Sequence, residues 1–204
     1  MNPEIPKFDA EKEPEELKEA TRIILDAGEK LLESTDKKSL INQSAFELDG
    51  EKYTLVYKIF PGDNEKIFWI RMGLFNEDPP ETVENLKSMN KGEVASTRLM
   101  FSFISQRISG HLNTKAEYEG RGFGTALLFM RDSIIKEIML RYKDKIPESG
   151  LDSVIIDNAK AQTPGKNYRG LVTSLAEKMG HAPIPGGQII KHYDPVSENQ
   201  SLKN

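Results

Sequence analysis

Three glycines at alternate positions stand directly before a long apolar segment, within "EYEGRGFGTALL" (117–128). Gly120, Gly122 and Gly124 lie where a helix is expected to begin, although glycine weakens helices. A strand that passes through glycines into a helix leaves several N–H groups unpaired and pointing outward. With the helix dipole, those donors favour an anion such as a phosphate or a pyrophosphate. The alternative is a tight corner that binds nothing.

Two common phosphate loops do not fit this turn. A Walker A loop requires Lys followed by Ser or Thr after its last glycine, whereas Thr125 follows Gly124. A dinucleotide fingerprint requires Gly or Ala at its sixth position, which is Thr125 when counted from Gly120 and Leu127 when counted from Gly122. A nucleotide held in another manner stays open as a ligand.

Composition excludes several other kinds of chemistry. The chain has 204 residues, 37% hydrophobic and 29% charged, as expected for a single globular domain. It has no cysteine, and its three histidines lack the spacing of a zinc site, so we expect no bound metal. The net charge of −4 argues against a general nucleic-acid binder. The sequence shows neither an apolar run of about 20 residues nor a secretory signal, so we expect a cytoplasmic protein with no membrane partner.

Periodic patterns predict a mixed α/β domain of the α+β type over 14–195, between a flexible arm (1–13) and a flexible tail (196–204). An Asp49–Gly50 pair between two β-prone runs indicates a hairpin within 44–60. After the glycine turn, a helix is predicted to about Tyr142, with a sheet-facing stripe of Leu127, Ile134, Ile135, Ile138 and Tyr142. The other predicted elements are helices over 14–34, 79–90 and 167–180 and strands over 66–75, 151–159, 187–193 and parts of 94–116.

The segment "LNTKAEYEGRGFGTALL" (112–128) resembles the acyl-CoA loop of the GNAT superfamily of acetyl-CoA-dependent N-acetyltransferases. That loop typically reads Leu-x-Val-x-Pro-Glu-Tyr-Arg-Gly-Lys-Gly-Ile-Gly and precedes a leucine-rich helix. A second family motif, Tyr-Glu-Lys-Leu-Gly-Phe, is similar to "AEKMGH" (176–181) and follows in the same order. The resemblance covers about 112–193. The matching residues are Leu112, Glu117, Tyr118, Gly120, Gly122, Gly124, Glu177, Lys178 and Gly180.

The resemblance implies a central, mostly antiparallel sheet flanked by helices, here with an added N-terminal helix. It also implies transfer of an acetyl group from acetyl-CoA to an amine on a small molecule or a protein. The coenzyme would lie between the strand ending near Thr114 and the strand 152–158, with N–H groups near Thr114 polarising the thioester carbonyl. A homodimer through exposed terminal strands stays open. The residues implied in coenzyme binding are Thr114, Glu119, Gly120, Arg121, Gly122, Phe123, Gly124, Thr125 and Asn158.

Two positions depart from the family pattern. Glu119 stands where the family usually has Arg or Gln, and a carboxylate repels a pyrophosphate by about 1 kcal/mol in solvent. We expect Arg121 to compensate, unless Glu119 simply faces solvent. Ala176 stands where the family often has a tyrosine that acts as general acid toward the CoA thiolate.

Three other residues are candidates for proton transfer. Tyr168, at the start of the same predicted helix as position 176, is the candidate acid, and an aromatic that anchors the helix is the alternative. His111 and Glu117 are the candidate bases for the attacking amine, and a structural role is the alternative for His111. If no acid is present, the same fold would suit a non-catalytic module that binds acyl-CoA or a partner protein.

Overall fold

The computed structural model describes residues 15–34, 41–61, 66–76, 91–156, 176–177, 179–184 and 188–194. Within these residues the chain forms one eight-stranded, mostly antiparallel sheet and two long helices. The elements are α1 (Glu15–Ser34), β1 (Ile41–Leu48), β2 (Glu51–Pro61), β3 (Ile67–Phe75), β4 (Glu93–Ser102), β5 (Arg107–Thr114), α2 (Phe123–Arg141), β6 (Leu151–Ile156), β7 (Ala182–Ile184) and β8 (Gln188–Tyr193). The strand order across the sheet is β1-β2-β3-β4-β5-β6-β8-β7.

The first five strands form a meander in chain order, and its first turn is the predicted hairpin. Leu48 pairs with Glu51, so the loop is the two residues Asp49 and Gly50. Both have positive φ, 54° and 74°, which is the backbone of a type I′ turn. The Asp–Gly prediction is therefore confirmed, although β1 begins at Ile41, three residues earlier than predicted.

Both helices pack on one face of the sheet. α1 contacts β1 and β2, α2 contacts β4 and β5, and the two helices contact each other. The sheet residues beneath them include the alternate β3 positions Phe68, Ile70, Met72 and Leu74, which belong to one continuous apolar core with the helices. This burial drives the layering, since each apolar face leaves water only when it meets the other.

The stripe predicted for α2 lies in this core. Leu127, Ile134, Ile135 and Ile138 are fully buried, and Tyr142 packs at its edge. The helix is also buried on other sides, because α1 flanks it and Leu128 packs against Ile189 of β8. The prediction that this stripe of α2 faces the sheet is confirmed.

Most of the other predicted elements that lie in the described residues are present. Helix 14–34 is observed as Glu15–Ser34, strand 66–75 as Ile67–Phe75 and strand 187–193 as Gln188–Tyr193. The strand predicted over 151–159 is observed over Leu151–Ile156, and 157–159 lie outside the described residues. β7 was not predicted. The arm 1–13, the helix 79–90, the tail 196–204 and most of the helix 167–180 lie outside the described residues.

The end of the predicted helix 167–180 does fall within the described part. Gly180 has φ 84°, and its N–H donates to the Glu177 carbonyl. The next N–H, of His181, reaches back to the Ala176 carbonyl at 2.9 Å. This pair of bonds is a Schellman closure, so the predicted glycine cap is confirmed. In the described part of the chain, no helix is long and apolar enough to cross a bilayer.

Candidate functional site

One pair of neighbouring strands in the described sheet runs parallel, and its described pairing ends partway along β5. β5 and β6 are joined through α2 and pair from Arg107–Asp152 to Gly110–Ile155. β5 continues for four residues, to Thr114, and pairs there with β4, while the chain that follows Ile156 of β6 lies outside the described residues. We call the point after the Gly110–Ile155 pair the fork. Beyond the last pair, the backbone donors and acceptors of that strand edge need another partner.

The backbone of β5 beyond the fork directs specific groups toward β6. Lys115 N–H donates to the Val94 carbonyl of the β4 side at 2.9 Å, and the Gln106 carbonyl accepts from Asp152 of β6 at 3.1 Å. Because N–H groups alternate between the two edges of a strand, the even-numbered residues of β5 face β6. Leu112 and Thr114 therefore turn their N–H groups toward the β6 side, past the last recorded pair.

The glycine turn lies at the same end of β5 as the fork. Gly124, in the first turn of α2, lies so close to the strand end that a Cβ on it would be 3.2 Å from Thr114 Oγ1. Gly120 and Gly122 have φ of 81° and 83°, a left-handed backbone that glycine adopts without strain. The glycines are thus required by the sharp turn and by the close approach of helix and strand.

We call residues Gly120–Thr125 the amide turn. Among the described residues, none of its six N–H groups donates to an acceptor, and the first helical bond is from Ala126 N–H to the Gly122 carbonyl at 2.9 Å. Gly122 is the N-cap and has no side chain to cap the helix. The donors and the positive end of the α2 dipole therefore remain available for an anion. Glu119 differs from expectation, because its N–H is already bonded to the Ala116 carbonyl at 3.3 Å.

Arg121, which we expect to compensate for Glu119, contacts the β1–β2 hairpin. Its guanidinium reaches the carboxylates of the β1–β2 hairpin, at 3.3 Å from both Asp49 and Glu51. It also lies over three aromatic rings, those of Tyr53, Tyr118 and Phe123, at 5.9, 5.7 and 5.2 Å from their centroids. The physical reason is proximity: the hairpin tip stands beside the amide turn and supplies two carboxylates.

The hairpin side of this contact is itself hydrogen-bonded. Tyr53 donates to Glu51, and burial together with this bond raises the pKa of Tyr53 to about 12. Hydrogen bonds from Tyr53 and then Arg121 hold the pKa of Glu51 below its usual value. Both Glu51 and Arg121 therefore carry their charges at neutral pH, and a salt bridge joins the hairpin tip to the amide turn.

The candidate proton-transfer residues lie at different places. His111 is the first β5 residue beyond the fork, half-buried, on the sheet face opposite to α2, and its cross-strand partner is Arg98. Glu117 lies exposed in a short 3-10 turn, Ala116–Tyr118, between β5 and the amide turn. Ala176 is fully buried against Leu128 and Ile155, beside the fork, and brings no acidic hydrogen there. Tyr168 and Asn158 lie outside the described residues.

The sequence did not predict two pairs of buried charged residues. Arg71 and Glu93 form an ion pair in which both side chains are at most 1% exposed. Arg131 and Asp132 lie in the middle of α2, both buried, although the sequence reads as an apolar helix there. The only available signal was the charged pair itself, since two adjacent charges inside an apolar-periodic run indicate either a solvent face or a buried polar cluster.

Comparison with known proteins finds no relative: no family model, curated protein or solved structure matches the chain. In the part of the chain that the structure describes, no group of three or more histidine and acidic side chains is placed to hold a metal ion.

Proposed function

We propose that this chain is an N-acyltransferase that moves an acetyl or other acyl group from acyl-CoA to an amine by direct attack. One observation carries the proposal: the six N–H groups of the amide turn have no acceptor among the described residues and stand at the end of β5, beyond its last described pair with β6. A diphosphate on the turn and a thioester arm between the strands would use both features at once. The resemblance of 112–128 and 176–181 to the GNAT motifs supports the same ligand.

The chemistry asked of the protein is modest. The amine nitrogen attacks the thioester carbonyl carbon, the C–S bond breaks, and the CoA thiolate departs with the electron pair. The N–H of Thr114, turned toward the β6 side, is suited to bond the carbonyl oxygen as it becomes negative, and one such donor is worth about 100-fold to 1,000-fold in rate. His111, next to the fork, is our first candidate to take the ammonium proton, and exposed Glu117 is the second.

A second candidate function has one observation in its favour. Ala176 beside the fork provides no proton for the departing thiolate. A non-catalytic module that senses acyl-CoA, or binds a partner protein, would keep the amide turn and dispense with an acid. A thiolate is nevertheless a tolerable leaving group, so we place the enzyme first.

Binding is tested by calorimetry and thermal unfolding with CoA, acetyl-CoA, ATP and pantetheine, which lacks the diphosphate. We expect CoA and acetyl-CoA to raise the melting temperature and pantetheine to do so much less. Gly120→Asp and Gly120→Asn are matched variants, because both side chains tolerate positive φ and a Cβ at this position has open space. The aspartate should weaken CoA binding about tenfold or more and the asparagine only slightly. Equal affinities in the two variants would move the diphosphate away from this turn.

Activity separates the two candidate functions. Thiol release from acetyl-CoA is followed with polyamines, aminoglycosides and lysine peptides as acceptors. Acceptor-dependent release that falls in His111→Asn, with CoA binding retained, supports the enzyme. CoA binding without release for any acceptor class favours the sensing module. If no CoA compound binds, the acyltransferase and the acyl-CoA sensor are both wrong.

A further inference from the structure

Arg131 is a fully buried cation with most of its hydrogen-bonding capacity unused. Its side chain is 1% exposed, and one nitrogen, Nη2, donates to Ser153 Oγ at 3.1 Å and to the Val154 carbonyl at 3.2 Å. Its Nε and Nη1 have no acceptor in the described structure. Burial lowers the pKa of Arg131 to about 10, so the guanidinium still carries its charge at neutral pH. Three N–H bonds therefore have no acceptor among the described residues.

The neighbouring carboxylate does not neutralise it. Asp132 accepts from Lys191 Nζ at 2.8 Å and from the Tyr193 hydroxyl, and it is the one acidic side chain in this cluster within the described residues. Two cations thus share one carboxylate. His181 brings no charge to the cluster at neutral pH, since burial lowers its pKa to about 4 and its Nδ1 bonds the Ala176 carbonyl. Among the described residues, one positive charge of this cluster has no counter-ion, which is costly unless a ligand or another part of the chain supplies one.

This charge lies at the fork. Val154, whose carbonyl Arg131 contacts, is one residue from the last paired position of β6. A Cβ on Gly110, the last paired position of β5, would be 2.7 Å from Arg131 Nη1. The guanidinium therefore lies against both strands where their described pairing ends, on the α2 side of the sheet. That is the region between the strands in which the proposed function places the acyl end of the coenzyme.

We propose that Arg131 binds the carboxylate of a dicarboxylic acyl group, of the malonyl, succinyl or glutaryl kind, carried by CoA. The inference rests on the proposed function and narrows its donor. A carboxylate neutralises the surplus charge and accepts the unused N–H groups, and charge-assisted bonds of this kind are about twice as strong as neutral ones. An acetyl group carries no carboxylate and so cannot neutralise the charge of Arg131. In the transfer the amine forms the N–C bond, the thioester C–S bond breaks, CoA leaves as the thiolate, and the distal carboxylate is unchanged.

The wild-type protein gives the first test. We expect calorimetry at pH 7.5 to show succinyl-CoA binding about tenfold or more tighter than acetyl-CoA. CoA together with free succinate separates the two sources of a carboxylate: the proposal requires that this mixture bind no better than CoA alone. A preference for acetyl-CoA, or equal affinity, overturns the inference while leaving the proposed function standing. Failure of every CoA compound to bind overturns both.

Variants assign the preference to Arg131. Arg131→Met should remove the preference for succinyl-CoA and change acetyl-CoA affinity less than about threefold, and Arg131→Lys should keep part of it because the charge remains. Ser153→Ala, which removes one bond that orients the guanidinium, serves if Arg131→Met does not fold, and it should reduce the preference. Ser133→Ala is the matched control, since Ser133 is a buried polar residue of the same helix with no described partner. A purely structural role of Arg131 would lower both affinities equally and would overturn the inference.

Discussion

Gly110 of β5 and Arg131 of α2 occupy adjoining space that leaves no room for a side chain on the strand. A Cβ at position 110 would lie 2.7 Å from Arg131 Nη1 and would overlap the carbonyl oxygen of Arg98 on β4. The carbonyl belongs to a paired central strand and cannot move aside. Glycine at this position lets a buried guanidinium lie directly against the sheet.

Gly110→Ala should therefore be strongly destabilising. We expect it to reduce the free energy of unfolding by about 3 kcal/mol, because the overlap is with backbone, and urea denaturation measures it. Gly28→Ala on α1 is the control: its Cβ would overlap only the flexible end of Met130, and alanine favours the helix by about 1 kcal/mol. We expect the Gly28 variant to change stability by less than about 1 kcal/mol. Equal losses in the two variants would contradict the packing described for Gly110.

The buried pair of Arg71 and Glu93 gives a second prediction. Arg71→Met removes the cation that is hydrogen-bonded to the buried Glu93 carboxylate, and we expect a loss of about 3–5 kcal/mol. The double variant Arg71→Met, Glu93→Leu removes both charges and should recover at least half of that loss. A double-mutant cycle in urea measures the coupling. Additive losses would show that the two side chains do not stabilise each other.

Local chemistry explains which parts of this fold the sequence predicts. The Asp49–Gly50 turn is specified by two residues that accept positive φ, and the start of α2 by glycines before an apolar stripe. β7 is not predicted because a strand of three residues, one of them Pro183, is too short to show a period-2 pattern. β1 is an edge strand whose alternate positions stay exposed, so most of its first residues are polar. Because these polar residues do not form a β-prone run, the predicted strand begins later than the observed one.

Long-range contacts explain what the sequence does not predict of the candidate site. Arg121 meets Glu51 across a separation of 70 residues, and Arg131 meets Ser153 across 22. No periodic pattern encodes such pairs. Whether a charged residue is buried depends on which other elements cover it, and for Arg131 these are β5 and β6. The turn could be located from the sequence; the charge beneath the fork could not.

The ionic contact between the hairpin and the amide turn leads to a third prediction. Asp49→Asn together with Glu51→Gln removes two negative charges beside the proposed diphosphate site and releases Arg121 from them. We expect CoA to bind about threefold tighter at low ionic strength, with the gain lost in high salt, because exposed charges are screened. Glu47→Gln, which removes one exposed carboxylate elsewhere on the same hairpin, is the control. Unchanged affinity in the double variant would show that the hairpin carboxylates do not act on the ligand.

The buried His181 makes stability depend on pH in a defined window. Burial lowers its pKa from 6.5 to about 4, with the charges of Lys191 and Arg131 acting in the same direction and that of Asp132 opposing them. Between these two pH values the unfolded chain binds a proton that the folded chain does not, so stability falls as pH decreases from about 6.5 to about 4. The full effect is about 3 kcal/mol. His181→Gln cannot titrate, so its free energy of unfolding, measured in urea from pH 4 to 7.5, should lack this loss. Parallel pH profiles for the two proteins would mean that the His181 ring accepts its proton as readily in the folded state as in the unfolded one.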